Sequence, residues 1–245
     1  MYRPNYAPTA GGGGTIGVQT ALNDTALPGS KFYVMNGEYE VFKCIYNGEN
    51  AANPTGQTVT YEPKSAPSGG QGTFANGIYT EPAGTGGYVW KHMYTLTTGD
   101  VLAFLSTDFM PIAASGEASR VAAEALAVDG GVHIVLDNAQ GTTGLPADET
   151  LYTSIVGDGT GGIVKFVTTA GGGISSVEIE APGSGYTYAS VILSQATVFT
   201  DAGLTSAYGS AFTAVGGFEL IISPEGGHGS NAEAELFAKR VMTNI

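Results

Sequence analysis

Apolar and polar residues alternate along several short stretches of this chain, a pattern that is typical of β-strands. The clearest stretch runs from Tyr88 to Leu96, with Trp90, His92 and Tyr94 at alternate positions between them. Two glycines precede it and Thr-Thr-Gly-Asp follows it, so turn-forming residues mark both ends. The spacing predicts a strand with an aromatic stripe on one face. The opposite face would carry Val89, Lys91, Met93 and Thr95.

Shorter runs of the same kind predict further strands on both sides of this one. They cover residues 31–34, 40–46, 58–61, 78–80, 101–105, 189–193 and 218–223. Two stretches instead predict helices. Residues 117–127 are rich in alanine, and residues 230–242 begin with Ser230 as a cap and Glu233 three positions later, as in a capping box.

An internal repeat lies in the second half of the chain. Residues 131–142 align with residues 173–184, and each copy consists of a glycine turn, a strand and a second turn. In the second copy Val177 and Ile179 alternate with polar residues, which predicts one buried and one solvated face. The polar residues are Ser176, Glu178 and Glu180.

The composition favours a mainly β fold. Glycine accounts for 38 of the 245 residues and charged residues for only 13%, which suits many short strands joined by tight turns. We expect an antiparallel β-sandwich core with an inserted glycine-rich β module and one or two short helices. The expected divisions are a flexible lead at 1–30, the first part of the core at 31–115, the inserted repeat module at 116–215, and a return strand and C-terminal helix that complete the core at 216–245.

Charge and hydropathy argue against two classes of partner. The net charge is −13, whereas direct nucleic-acid binding requires clustered cations. We find no signal-peptide pattern at the N-terminus, and no apolar run approaches the roughly 20 residues that span a bilayer. Cys44 is the single cysteine, so no disulfide within the chain is expected.

Residues suited to catalysis are few. His92, His133 and Cys44 lie within strand patterns, where structural roles are expected, and no serine has the spacing of a nucleophile elbow. Residues 224–231 include Glu225 and His228, which with Glu233 or Glu235 could ligate a metal. The spacing matches no zinc pattern, and a tight connection with His228 bonded to loop backbone is the favoured interpretation. We therefore predict no catalytic, cofactor-binding or metal-binding residue.

Several segments together resemble a known family. They are Val41-Phe42-Lys43-Cys44, Asn53-Pro54-Thr55-Gly56, the stretch from Gly87 to Leu96, Phe109-Met110-Pro111-Ile112 and Pro224–Asn231. Their order resembles the dimeric baseplate wedge protein of T-even-like contractile-tailed bacteriophages, including cyanophage members. The resemblance covers about 39–112 and 217–245.

The resemblance implies a structural subunit of the virion, located in the tail baseplate after assembly in the host cytoplasm. It implies contacts with other wedge proteins, a homodimer and no enzymatic activity. A carbohydrate-binding or receptor-recognition tail module is the alternative, and a glycan-cleaving enzyme is a third hypothesis. Aromatic residues in an open groove beside paired carboxylates would favour the glycan hypotheses. The candidate core or interface anchors are Phe42, Tyr88, Trp90, Tyr94, Phe109 and His228.

Overall fold

A computed structural model describes most of the chain and confirms a mainly β fold with short helices. The described residues are 33–48, 59–82, 85–106, 109–137, 142–214, 218–238 and 241–243. The predicted lead at 1–30 lies outside them. The chain divides into two compact units, one comprising Met1–Ala127 and Gly229–Ile245 and the other Val128–His228.

The first unit contains one antiparallel sheet of five strands in the order β1-β2-β5-β4-β3. The strands are β1 (Tyr33–Met35), β2 (Glu40–Asn47), β3 (Thr73–Ala75), β4 (Ile78–Thr80) and β5 (Tyr88–Thr95). The helices are α1 (Thr98–Phe104), α2 (Ala118–Ala125) and α3 (Ala232–Glu235). Residues 59–61, the described part of another predicted strand, form none.

The aromatic stripe predicted for β5 is interrupted by a bulge. Val41 pairs with Tyr94, but the next residue of β2 pairs with His92, so Met93 is the extra residue. A bulge of this kind shifts the alternation of side chains along a strand. Tyr88 and Trp90 consequently enter one apolar cluster, with Val34, Phe42, Val59 and Tyr79. A second cluster comprises Tyr33, Val41, Met93, Tyr94, Leu96, Met110, Ala113, Ala232 and Leu236.

The strand predicted at 101–105 is wrong, because residues 101–104 belong to helix α1 and Leu105 is its C-cap. Thr97 caps the helix by accepting a hydrogen bond from the Asp100 N–H at 3.1 Å. The Asp100 carboxylate in turn accepts from the Thr97 N–H at 3.4 Å. This reciprocal capping box satisfies two donors at the helix start and favours helix over strand.

The second unit is built from two antiparallel sheets around one core. Its strands are β6 (Val132–Asp137), β7 (Thr150–Gly157), β8 (Thr160–Thr168), β9 (Ile174–Ser184), β10 (Ala189–Val191), β11 (Val198–Phe199) and β12 (Phe218–Ile222). One sheet has the order β10-β7-β8-β9, with β11 also paired to β7, and β6 pairs with β12. The β6–β12 ribbon lies beside β9 at one edge and β10 at the other. The core includes Leu151, Val164, Phe166, Val198 and Phe218.

The predicted two faces of the second repeat copy are confirmed. Val177 and Ile179 of β9 are half-buried and pack against the core. The three polar residues between and beside them are exposed: Ser176, Glu178 and Glu180.

The two ends of the second unit meet. The Ser223 N–H donates to the Gly131 carbonyl at 2.8 Å, and the Gly226 N–H donates to the Asp129 carboxylate at 2.9 Å. Gly227, with φ of +85°, lies so close that a Cβ there would stand 2.4 Å from the backbone nitrogen of Val128. The chain therefore enters and leaves this unit at one place.

The observed division differs from the predicted one at both boundaries. Helix α2, predicted within the insertion, packs on β5 of the first unit. The strand predicted to return to the first core is β12, which belongs to the second unit because it pairs with β6. Only the segment after residue 228 returns to the first unit.

The C-terminal helix is shorter than predicted and begins one residue later. Its cap is Asn231, whose side chain accepts from the Ala234 N–H at 2.9 Å, so the predicted cap at Ser230 is wrong. The predicted capping-box partner, Glu233, instead binds an arginine of α2. Leu236 follows the helix and is fully buried, whereas Val241 is 92% exposed.

Candidate functional site

The aromatic anchors predicted on β5 lie in the interior of the first unit. Trp90 and Tyr94 are fully buried and Tyr88 is 2% exposed. The Tyr88 and Trp90 rings stack with centroids 5.4 Å apart, and the Tyr94 hydroxyl donates to the Pro111 carbonyl at 3.0 Å. None of these three rings is placed to stack on a bound sugar.

The other predicted anchors occupy different environments. Phe42 is fully buried, and its ring meets His92 edge-on at 5.2 Å. Phe109 is half-buried. His228 is also half-buried, but it lies in the second unit, with its ring 6.3 Å from that of His133. Within the first unit, Phe42, Tyr88 and Trp90 share one apolar cluster and Tyr94 belongs to another, so the predicted anchors there do not form one site.

A cluster of buried charges lies on the other side of β5. Lys43 and Lys91 are direct cross-strand partners on β2 and β5, and they are only 7% and 1% exposed. Lys43 Nζ lies 2.6 Å from a carboxylate oxygen of Glu235 in α3. We call these three residues the lysine cluster. Like charges directly opposite each other destabilise a sheet. The Glu235 carboxylate, which pairs with Lys43 and attracts Lys91, offsets the repulsion between the two lysines.

The Glu235 carboxylate is held from several directions. Its second oxygen accepts from the N–H groups of Gly229 at 2.8 Å and Asn231 at 3.2 Å. Burial alone would raise the pKa of Glu235, but the bonds from Lys43 and from this backbone outweigh it and lower the pKa. Glu235 is therefore ionised at neutral pH and fixes the returning segment to β2.

Lys91 is the most perturbed member of the cluster. Burial lowers its pKa to about 8, and attraction to Glu235 offsets only part of that effect. Its side chain runs beneath two glycines, since a Cβ at Gly77 would stand 2.9 Å from Nζ and a Cβ at Gly229 would stand 2.6 Å from Cε. Both glycines have positive φ, so the backbone there is shaped to cover the lysine.

A second ion-pair group joins α2 to α3. Arg120 is 5% exposed and binds Glu233 through two parallel bonds of 2.6 Å each. It also donates to the Ala113 carbonyl at 2.9 Å and to Glu124 at 2.7 Å. The hydrogen bonds from Arg120 lower the pKa of Glu233. Such forked pairs are geometrically specific, and this one aligns the two helices.

An apolar groove of about 380 Å³ lies beside this arginine. Its walls include Phe104, Met110 and Ile112, and two carboxylates, Asp100 and Glu233, border it. Glycoside hydrolysis needs a carboxylic acid whose pKa is raised, whereas that of Glu233 is lowered. The lowered pKa of Glu233 is therefore the opposite of what the general acid of a glycosidase requires.

Two of the acids considered as metal ligands are engaged in ion pairs. Glu233 and Glu235 bind Arg120 and Lys43 in the first unit, while His228 belongs to the second. No group of three or more potential ligands that could hold a metal occurs among the described residues. No helix in the described part of the chain is long and apolar enough to cross a membrane.

The charged clusters were missed by reasoning from the sequence. The sequence analysis placed Lys91 only on the face of β5 opposite the aromatic stripe, and Arg120 was one polar residue in an alanine-rich helix. A lysine inside an eight-residue strand of mostly apolar and aromatic residues was the available signal.

No protein-family model matches the chain, and no curated protein or solved structure matches it.

Proposed function

We propose that this chain is a structural subunit of a contractile phage tail baseplate wedge and acts through protein–protein contacts. The observation that carries the proposal is the placement of the aromatic stripe. Tyr88, Trp90 and Tyr94 are buried and build the core, which is what a scaffold requires and not what a glycan-stacking surface requires. The assignment to a baseplate comes from the sequence segments around this stripe, whose order resembles that of the wedge family.

Exposed apolar side chains support a role in contacts. Leu102 of α1 is 83% exposed, and in the second unit Tyr188 and Ile192 are 65% and 53% exposed. Single exposed apolar residues are normal, but aromatic and aliphatic side chains at this exposure suit contacts with neighbouring subunits. Val156 is exposed on the strand beside them, opposite Ser190 in the register.

The test is the location of the chain in assembled particles. We expect mass spectrometry of purified virions and isolated baseplates to detect the chain at fixed stoichiometry with other wedge proteins. We also expect the purified chain to co-elute with those proteins in size-exclusion chromatography. Baseplates that lack the chain, in particles whose other wedge proteins are detected, would refute the proposal.

A carbohydrate-binding or receptor-recognition tail module is the second candidate, and Tyr188 is the residue that favours it. Its ring is largely exposed, and its backbone N–H donates to Asp158 at 3.2 Å, which fixes the loop. A glycan array distinguishes the two functions. Binding that is lost in Tyr188→Ala and retained in Leu102→Ala would favour this candidate.

A further inference from the structure

The exposed apolar side chains of the second unit lie together on neighbouring strands. Among the described residues of that unit, the large apolar side chains that remain exposed are Val156, Tyr188 and Ile192. Val156 of β7 lies directly opposite Ser190 of β10. Tyr188 and Ile192 stand two positions before and after Ser190, and the residues between them pack against the core, so all three point outward. We call Val156, Tyr188 and Ile192 the Tyr188 surface.

The backbone that carries Tyr188 is anchored in the core by Tyr186. The Tyr186 side chain is buried, and its hydroxyl accepts from the Gly162 N–H at 3.1 Å. Its ring fills space that glycines leave open, because a Cβ at Gly159 or Gly183 would stand 2.5 or 2.7 Å from a ring carbon. The segment that leads to Tyr188 is therefore held against the turn between β7 and β8.

Asp158 holds the same segment from the solvent side. Its Oδ1 accepts from the N–H groups of Thr187 at 2.9 Å and Tyr188 at 3.2 Å, and its Oδ2 accepts from the Thr187 hydroxyl at 2.6 Å. The bonds from Thr187 lower the pKa of Asp158 to about 2, so the carboxylate is ionised at neutral pH. The Tyr188 ring nevertheless remains 65% exposed. An exposed ring on a fixed backbone suits binding, because a partner then orders little that is not already ordered.

The charge of the second unit determines which partner this surface attracts. Residues 128–228 contain ten carboxylates and a single basic residue, Lys165, which pairs with Glu178 at 2.7 Å. Such a unit repels acidic partners, including a second copy of this chain, and attracts basic ones. The Asp158 carboxylate lies at the backbone of Tyr188 itself. A lysine or arginine over the face of that ring would gain both cation–π and charge attraction.

We propose that the Tyr188 surface binds a short basic segment of a partner protein. An arginine or lysine of that segment lies over the Tyr188 ring beside Asp158, and an adjacent apolar side chain covers Val156 and Ile192. Diagonal neighbours on paired strands are about 7–8 Å apart, so the surface has room for two or three partner side chains. A standard interface has about 20–30 residues on each side, so a short segment fits better than a folded surface. We expect a dissociation constant on the order of 10 to 100 μM.

The experiment incubates the full chain with an array of synthetic dodecapeptides of random sequence. The peptides that bind best are then measured in solution by fluorescence anisotropy. We expect them to share a lysine or arginine next to an apolar residue. Their affinity should fall severalfold between about 50 and 300 mM salt, because salt screens the attraction between exposed charges. Replacing the basic residue of a selected peptide by glutamine should weaken its binding.

Variants of the chain assign the binding to this surface. Tyr188→Ala should weaken it at least about tenfold, whereas Tyr188→Phe keeps the ring and should retain it. Asp158→Asn preserves the shape of the side chain and should weaken binding about three- to fivefold. The matched controls are Tyr39→Ala, at an exposed tyrosine of the first unit, and Asp201→Asn, at another carboxylate that accepts loop hydrogen bonds. Both controls should bind like the wild type, and thermal unfolding verifies that every variant is folded.

The outcomes that would overturn the proposal are distinct. A chain that binds none of the peptides, or that selects peptides without enrichment of lysine and arginine, would overturn it. Equal losses in Tyr188→Ala and Tyr39→Ala would also overturn it, because the binding would then lie elsewhere. Glycan binding that depends on Tyr188, without peptide binding, would overturn it in favour of the carbohydrate-binding candidate.

This inference rests on the proposed function only in taking the partner to be a neighbouring subunit of the baseplate. The two fail in different experiments. A chain that is present in baseplates but binds no basic peptide would overturn the Tyr188 surface alone. A chain that binds basic peptides through Tyr188 but is missing from virions would overturn the proposed function alone.

Discussion

Replacing Lys91 by methionine tests the energetic cost of the buried ammonium group. Methionine keeps most of the length of the side chain and removes the charge. Burial lowers the pKa of Lys91 from its usual 10.5 to about 8. A difference of this size corresponds to about 3 kcal/mol against folding while the lysine is protonated in both states. We expect Lys91→Met to be more stable than the wild type at pH 7 by up to that amount.

The effect has a definite pH dependence. Below pH 8 the folded and unfolded chains both carry the proton, so the cost of burying the charge is fully present. Between pH 8 and 10.5 the folded chain loses the proton while the unfolded chain keeps it, so the wild type regains stability as the pH rises. About 1 kcal/mol should be regained between pH 7 and pH 9.

The assay is urea unfolding of both chains at several pH values between 7 and 9.5. Burial also raises the pKa of Tyr79 and Tyr94, so stability falls at higher pH as tyrosines in the unfolded chain ionise. That loss is common to both chains and cancels in their difference. Lys64→Met is the matched control, at a half-buried lysine that pairs with Glu38 and whose side chain is 27% exposed. A difference for Lys91→Met that does not shrink as the pH rises would refute the reasoning.

Three further substitutions test other parts of the fold. Trp90→Ala should lower the unfolding free energy by about 3–5 kcal/mol in urea titrations, because the side chain is fully buried. Glu235→Gln should cost about 3 kcal/mol, seen as a lower melting temperature, because Lys43 loses its buried ion-pair partner. Gly130→Ala should cost about 1–3 kcal/mol in the same melts, because φ is +56° and a Cβ would stand 2.5 Å from the Tyr186 nitrogen.

Each of these has a control in the same chain. Trp90 is the only tryptophan, so its fluorescence should be blue-shifted in the native wild type, and a solvent-like emission would contradict its burial. Glu225→Gln removes an exposed carboxylate and should leave the melting temperature nearly unchanged. Gly116→Ala has open space for its Cβ and should also be nearly neutral. A control that loses as much stability as its test variant would contradict the stated cause.

The sequence predicted an element correctly where the alternation of apolar and polar residues along the strand was clear. The period of two defined β5, and the alternation around Val177 and Ile179 defined both faces of β9. Leu151, Thr153 and Ile155 of β7 are buried at alternate positions, but Thr153 is polar and breaks the apolar alternation, and no strand was predicted there. Helix α1 was misassigned because Val101–Leu105 is apolar enough for a strand, although the capping pair just before it was readable.

Features that depend on distant packing could not be predicted in this way. The sequence placed Lys91 on the face opposite the aromatic stripe but did not show that the backbone at Gly77 and Gly229 would cover it. The pair between Arg120 and Glu233 joins positions that are far apart in sequence. Val121 of α2 and Leu126 after it could be placed on one face of a helix, but the sequence does not indicate that this apolar face would stay exposed.

The meeting of the two ends of the second unit has a consequence for the order of folding. The first unit is completed only when the segment after residue 228 returns to β2 and α2, across an insertion of about 100 residues. If the second unit folds first, its contact between Asp129 and Gly226 shortens that loop to a few residues. Closing a loop of a few residues instead of about 100 reduces the entropic cost by about 3 kcal/mol. In that order of folding, the second unit lowers the entropic cost of bringing the segment after residue 228 back to the sheet that contains Trp90.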